Sequence, residues 1–168
     1  MRYRIRAALT AMLVLTMTLV SFASAFATEW RTWDDGIKKA RASKRPVLVD
    51  VYTDWCGWCK RMDADVYARK DVSEYLASHF VSVRLNAESF DTVHWADRPM
   101  TAKALAGSFK VTGYPTTIFL NAKAEHLANV PGYVPADRLL LLLHYIGDGF
   151  AERNVKWEDF VASQPGAK

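Results

Sequence analysis

Val49-Asp50-Val51-Tyr52-Thr53-Asp54-Trp55-Cys56-Gly57-Trp58-Cys59-Lys60 is the stretch whose reading decides the fold. Its first half belongs to the run Val47 to Tyr52, apolar on both faces and rich in β-branched residues, as a central strand covered by helices on each side should be. Thr53-Asp54-Trp55 turns the chain into a helix that begins near Cys56 or Gly57 and buries Met62, Val66 and Tyr67. The two cysteines therefore stand at a helix start, where free backbone N–H groups and the helix dipole favour a thiolate. Cys56, expected to be the exposed one, attacks or receives the substrate. Cys59, one turn further in, is close enough to resolve the mixed disulfide.

Other readings of the pair fare worse. A zinc or iron–sulfur site needs further ligands, yet the chain has two cysteines, and His79, His94, His126 and His144 show no ligand-pair spacing. No metal is expected. Covalent haem attachment needs a histidine directly after the second cysteine, where Lys60 stands. A passive disulfide closing so short a loop contributes little stability. Asp50 is the anomaly in an otherwise apolar strand, six residues before Cys56. In one reading it lies buried beneath the cysteines with a raised pKa and accepts the proton of Cys59. In the other it points to a solvated edge or is salt-bridged to Arg84 or Lys60.

Outward from this stretch, helical and strand patterns alternate without repeats, which points to a single α/β domain over residues 28–168. Trp33 to Ser43 carries Trp33, Ile37 and Ala40 at helical spacing. A helix from Val72 to His79 leads into a strand from Phe80 to Leu85. Asn86 to Met100 reads as irregular, either a partner-facing excursion or packed scaffold whose Trp95 caps the core. A helix from Thr101 to Phe109 follows. Gly113-Tyr114-Pro115-Thr116 suits a cis-proline start to a strand, leaving backbone groups free for an extended substrate. Thr116 to Leu120 and Glu125 to Val130 form a hairpin, Pro131-Gly132 breaks its edge, and a helix runs from Pro135 to Ile146, ended by Gly147-Asp148-Gly149. A last short helix, Trp157 to Ser163, packs back through Trp157 and Phe160.

The first 27 residues differ in kind. Arg2, Arg4 and Arg6 precede an apolar run from Ala7 to Val20, and Ala25-Phe26-Ala27 offers small residues at a cleavage site, the pattern of a secretory signal peptide. An uncleaved membrane anchor is the alternative. Without these residues the 22 basic and 18 acidic side chains become 19 and 18, so the net charge of +4 gives no reason to expect a nucleic-acid partner.

The segment from Val49 to Lys60 resembles the active-site segment of the thioredoxin superfamily, and the resemblance extends over most of the mature chain. Arg84-Leu85-Asn86 is similar to the strand end where thioredoxins carry a lysine near the buried acid; Val111 to Thr116 resembles the cis-proline loop, and Gly132 the glycine after the hairpin. The resemblance implies a thioredoxin fold: a central mixed β-sheet flanked by helices, here with a C-terminal helical extension. It implies that Pro115 is cis and lies beside Cys56, and that Asp50 is the buried acid. It also implies that Trp55, Gly57, Trp58, Tyr114 and Pro115 meet the substrate, with Lys60 and Arg84 in support and no cofactor. The nearest group is the exported thioredoxin-like proteins, similar to periplasmic thioredoxins and to the C-terminal domain of the bacterial transmembrane disulfide reductase. By that likeness the expectation is a monomeric periplasmic protein-disulfide reductase, kept reduced by a membrane-bound electron donor. It would pass electrons to oxidised proteins or cytochrome c assembly factors. An oxidase or isomerase, or a non-catalytic binding module, are the alternatives. Trp58 departs from the family in standing where proline is usual, and Tyr114 is larger than the usual residue before the cis-proline. Asn86 to Met100 and the tail from Gly147 are additions.

Overall fold

The computed structural model describes residues 28–96 and 98–164, so the signal-peptide expectation, on residues 1–27, lies outside the described residues. Helix α1 (Trp33–Ser43) opens the domain, with Thr32 capping Asp35 N–H, two aspartates in its first turn and Arg41 in its last. Its Gly36 has a packing reason: a Cβ there would clash with Val83, so the missing side chain lets α1 lie close on the sheet. Strand β1 (Val47–Tyr52) leads into α2 (Gly57–Met62), which continues as one π-helical turn, Asp63–Tyr67. Next come α3 (Lys70–His79) and β2 (Val81–Asn86), then β3 (Thr92–Trp95), β4 (Arg98–Thr101) and α4 (Ala102–Ser108). Strands β5 (Thr116–Leu120) and β6 (His126–Pro131) precede α5 (Ala136–Gly147) and α6 (Trp157–Ala162).

The main sheet has the order β2-β1-β5-β6, with β1 parallel to β2 and antiparallel to β5, and β5–β6 a hairpin. The segment before α1 adds a short parallel bridge on the outer side of β2: Arg31 N–H donates to Ser82 O, and Arg31 O accepts from Arg84 N–H, both at 3.0 Å. Alternation along the strands splits the core in two. Val47, Val49 and Val51 face one layer with Trp33, Ile37, Leu105, Phe109 and Ile118. Leu48 faces the other, with Met62, Val66, Tyr67, Leu76, Phe119, Leu139 and Leu143. Asp50, two residues on from Leu48, thus points into the layer that carries the cysteine helix. Its register neighbours are Arg84 on β2 and Thr117 on β5.

One expectation needs correction. Residues 86–100 are not irregular throughout, because β3 and β4 pair as an antiparallel hairpin that brings Val93 opposite Met100. Trp95 lies at 5.5 Å from Trp33 and 5.2 Å from Phe109, while Trp33 Nε1 donates to His94 O. The hairpin is packed scaffold over α1 and α4; Glu88 and Phe90, ahead of it, face solvent. At the other end, α6 closes on α5 through Phe160, whose ring meets Tyr145 and Phe150. Among the described residues no helix is long and apolar enough to cross a membrane.

Candidate redox site

Cys56 and Cys59 are joined as a disulfide, with 5.3 Å between their Cα atoms. Cys56 is the N-cap of α2: its backbone is extended, and its Sγ accepts the backbone N–H of Cys59 at 3.0 Å. On reduction that N–H, together with the helix dipole, is aimed at a Cys56 thiolate. Exposure does not separate the two, contrary to expectation. Cys56 is 3% exposed and Cys59 5%, so the asymmetry between the sulfurs is one of hydrogen bonding.

The rim is aromatic. Trp55 and Trp58, one residue from each cysteine, are 66% and 57% exposed. Trp55 packs edge-on against Tyr114, with ring centroids 6.0 Å apart, and donates its indole N–H to Glu88. The Tyr114–Pro115 bond is cis, and Pro115 O accepts from Gly132 N–H, where the positive φ of 84° requires glycine. Across the site Trp58 meets Tyr133 at 5.6 Å and carries the Arg61 guanidinium over its ring. A Cβ on Gly57 would touch nothing, so the backbone between the cysteines is open to an approaching chain. Trp55, Gly57, Trp58, Tyr114 and Pro115 are thus brought together around the disulfide.

Beneath it lies charge. Asp50 is 2% exposed, its Oδ2 at 3.4 Å from Arg84 Nε. Arg84 is held in turn by Asp63, at the start of the π-helical turn, and by Trp30, whose ring lies 4.5 Å beneath the guanidinium. Burial pushes the Asp50 carboxyl up from 3.8 to about 6, against the opposing pull of the Arg84 charge beside it. The Tyr67 hydroxyl sits well above its ordinary value, chiefly through burial and then through the Asp50 charge. Asp50 Oδ1, Thr53 Oγ1, Tyr67 Oη and Thr117 Oγ1 are all buried without a close hydrogen-bond partner. Of the two readings of Asp50, the buried site and the salt bridge to Arg84 both hold. Lys60 does not share in that ion pair, being exposed on α2.

Sequence reasoning missed Asp63, Thr117, Trp30 and Tyr133, and took Tyr67 for plain core. Thr117 was within reach of a register argument, since β1 and β5 pair antiparallel and set it opposite Asp50. Asp63 was not, because its meeting with Arg84 joins the end of the cysteine helix to a strand twenty-one residues further on, with no register to connect them.

A bonded cysteine pair capping the helix after the central strand, a cis-proline opening β5, and a buried acid pointing into the layer of the cysteine helix together define a thioredoxin-fold thiol–disulfide site. A family model described as a thioredoxin-like domain matches residues 33–147, and the chain belongs to that family. The disulfide bond reductase DsbH of Chlamydia pneumoniae is 24% identical over 112 residues, covering 64% of each chain. The thiol:disulfide interchange protein DsbD of Ralstonia nicotianae is 33% identical over 111 residues, 66% of this chain but 17% of that one. The chain therefore spans under two thirds of either relative. Among solved structures, a thioredoxin from Thermus thermophilus superposes with a TM-score of 0.59 at 24% identity, covering 71% of this chain and 87% of that one. A putative disulphide-isomerase from Bacteroides thetaiotaomicron reaches 0.59 at 26%, covering 73% and 95%.

Proposed function

We propose that this thiol–disulfide oxidoreductase works as a protein-disulfide reductase in the periplasm. The observation that carries the reading is the unequal pair of sulfurs, Cys56 Sγ fed by the Cys59 N–H, on a helix whose layer also takes the buried carboxyl of Asp50. In the reduced protein the Cys56 thiolate attacks one sulfur of a substrate disulfide; a Cys56–substrate disulfide forms, and the first substrate sulfur leaves as a thiolate and takes a proton from water. Cys59 then gives its proton to the Asp50 carboxylate and attacks Cys56 Sγ. The Cys56–Cys59 bond closes, and the second substrate sulfur leaves as a thiolate and takes, by way of water, the proton held on Asp50, which returns to the carboxylate. Two electrons and two protons pass to the substrate. A dithiol donor at the membrane returns the pair to the reduced state by the same exchange run in the opposite sense.

The reductase direction draws on the name of the chlamydial relative, a disulfide bond reductase, and on the interchange protein DsbD. Export draws on Arg2, Arg4 and Arg6, the apolar run behind them and Ala25-Phe26-Ala27. Oxidised proteins, cytochrome c assembly factors among them, are the proposed electron acceptors.

The test is the reduction potential of the Cys56–Cys59 pair, equilibrated against defined thiol buffers and read by alkylation. A value near or below roughly −230 mV is expected; one above about −180 mV would turn the reading into an oxidase or isomerase.

A further inference from the structure

The exposed rim is not symmetrical in charge. On the Trp58 side the ring already carries the Arg61 guanidinium, at 5.6 Å, and Lys60 stands beside it. On the Trp55 side the carboxylates are the free charges. Glu88 accepts the indole N–H of Trp55 at 2.9 Å, and Asp54, next to Trp55 in the chain, accepts from Asn86 Nδ2 at 3.2 Å. Neither is ion-paired among the described residues. Lys103, on the same side, is engaged over the Phe90 ring at 5.6 Å. Trp55 itself is two thirds exposed, held edge-on by Tyr114 and fixed at its N–H by Glu88, so its orientation is set before a partner arrives.

A fixed indole with an open face and two unneutralised carboxylates around it share one preference, a cation. Trp55 directly precedes Cys56 and packs on Tyr114, so the step formed by these two rings lies beside the disulfide. We propose that the substrate is an extended polypeptide segment that carries a lysine or arginine beside its reactive cysteine, seated on the Trp55 ring next to Asp54 and Glu88. The apolar stem of that side chain lies along the aromatic step while its charged head meets the carboxylates. The inference rests on the oxidoreductase reading above, but not on its direction, because the same surface meets the partner whichever way the electrons move.

The experiment compares synthetic cystine peptides that are identical except for lysine, alanine or glutamate flanking the reactive cysteine. Second-order rate constants for exchange are measured with reduced protein against oxidised peptide, and with oxidised protein against the peptide dithiol. Rates are expected to fall in the order lysine, alanine, glutamate, with the lysine-to-glutamate ratio roughly tenfold at low ionic strength and only about twofold at ~0.5 M salt. Glu88→Gln keeps an acceptor for the Trp55 N–H while removing the charge. Combined with Asp54→Asn, it should bring the ratio close to one. Equal rates in the unmodified protein, a preference for glutamate, or a lysine preference that survives the double variant would each overturn the proposal. Exchange that runs well only with the peptide dithiol would sink the reductase reading while leaving the charge ratio measurable.

Discussion

Beneath the disulfide, Asp50 is 2% exposed, faces Arg84, and shares its layer with unpartnered hydroxyls of Tyr67 and Thr117. On the rim, one residue from each sulfur, Trp55 and Trp58 leave more than half of their surface in water. Burial of apolar area, the chief force behind folding, favours the reverse placement in both regions. The same few residues of chain thus hide a charge and display two indoles, and no gain in stability accounts for either. The hidden carboxyl suits a proton acceptor whose affinity must be raised. The displayed rings suit a surface that a partner will cover. The hairpin β3–β4 shows the ordinary case, with Trp95 turned inward against Trp33 and Phe109.

The contrast can be broken most sharply at the sulfurs. Cys59→Ser should abolish turnover and accumulate mixed disulfides with partners on a non-reducing gel, whereas Cys56→Ser should accumulate none; capture by the second variant would reverse the two roles. Next in size is Asp50→Asn, expected to slow resolution of the mixed disulfide by about 10²-fold in stopped-flow exchange. Its effect on stability has the opposite sign. Because the folded carboxyl is raised from 3.8 to about 6, its favourable contribution is complete below the lower value and is lost as pH rises through the upper one. The asparagine variant should therefore exceed the unmodified protein in urea melts at about pH 8, by up to ~3 kcal/mol, and lose that lead below about pH 4. A gap that does not change with pH would remove Asp50 from the proton path.

Smaller effects sharpen the line between scaffold and rim. Trp95→Ala should cost about 2 kcal/mol of stability and leave the reduction potential where it was. Trp58→Ala should change stability by no more than about 0.5 kcal/mol while lowering the exchange rate with protein substrates a few-fold. If Trp58→Ala destabilises the fold as much as Trp95→Ala does, the rim is core after all.

The bounds of α1 and β1 were legible in the sequence because both elements are strongly patterned: Trp33, Ile37 and Ala40 at helical spacing, and Val47 to Val51 as a run that only a covered strand tolerates. The cysteine spacing and the acid at Asp50 were legible for the same reason, each being costly or pointless unless it has a role. The hairpin was not. Its strands have four residues each, and Pro99, which lacks an N–H, reads as a strand breaker, although an exposed two-stranded ribbon accommodates it. The π-helical turn was hidden because one extra residue in a helix leaves no compositional trace. Burial of the cysteines depends on groups distant in the chain, beyond any local pattern.

The short bridge that Arg31 lays along β2 has a bearing on how copies of the molecule can meet. A sheet with two open edges is a monomer unit that can add neighbours without end, and a filament is its natural product. Here the middle of the β2 edge is bridged by Arg31, from the segment just before α1, while among the described residues β6 is paired only on its β5 side. A copy approaching the β2 edge would have to displace Arg31 from Ser82 and Arg84 before it could pair there, so this contact guards the middle of that edge against open-ended growth.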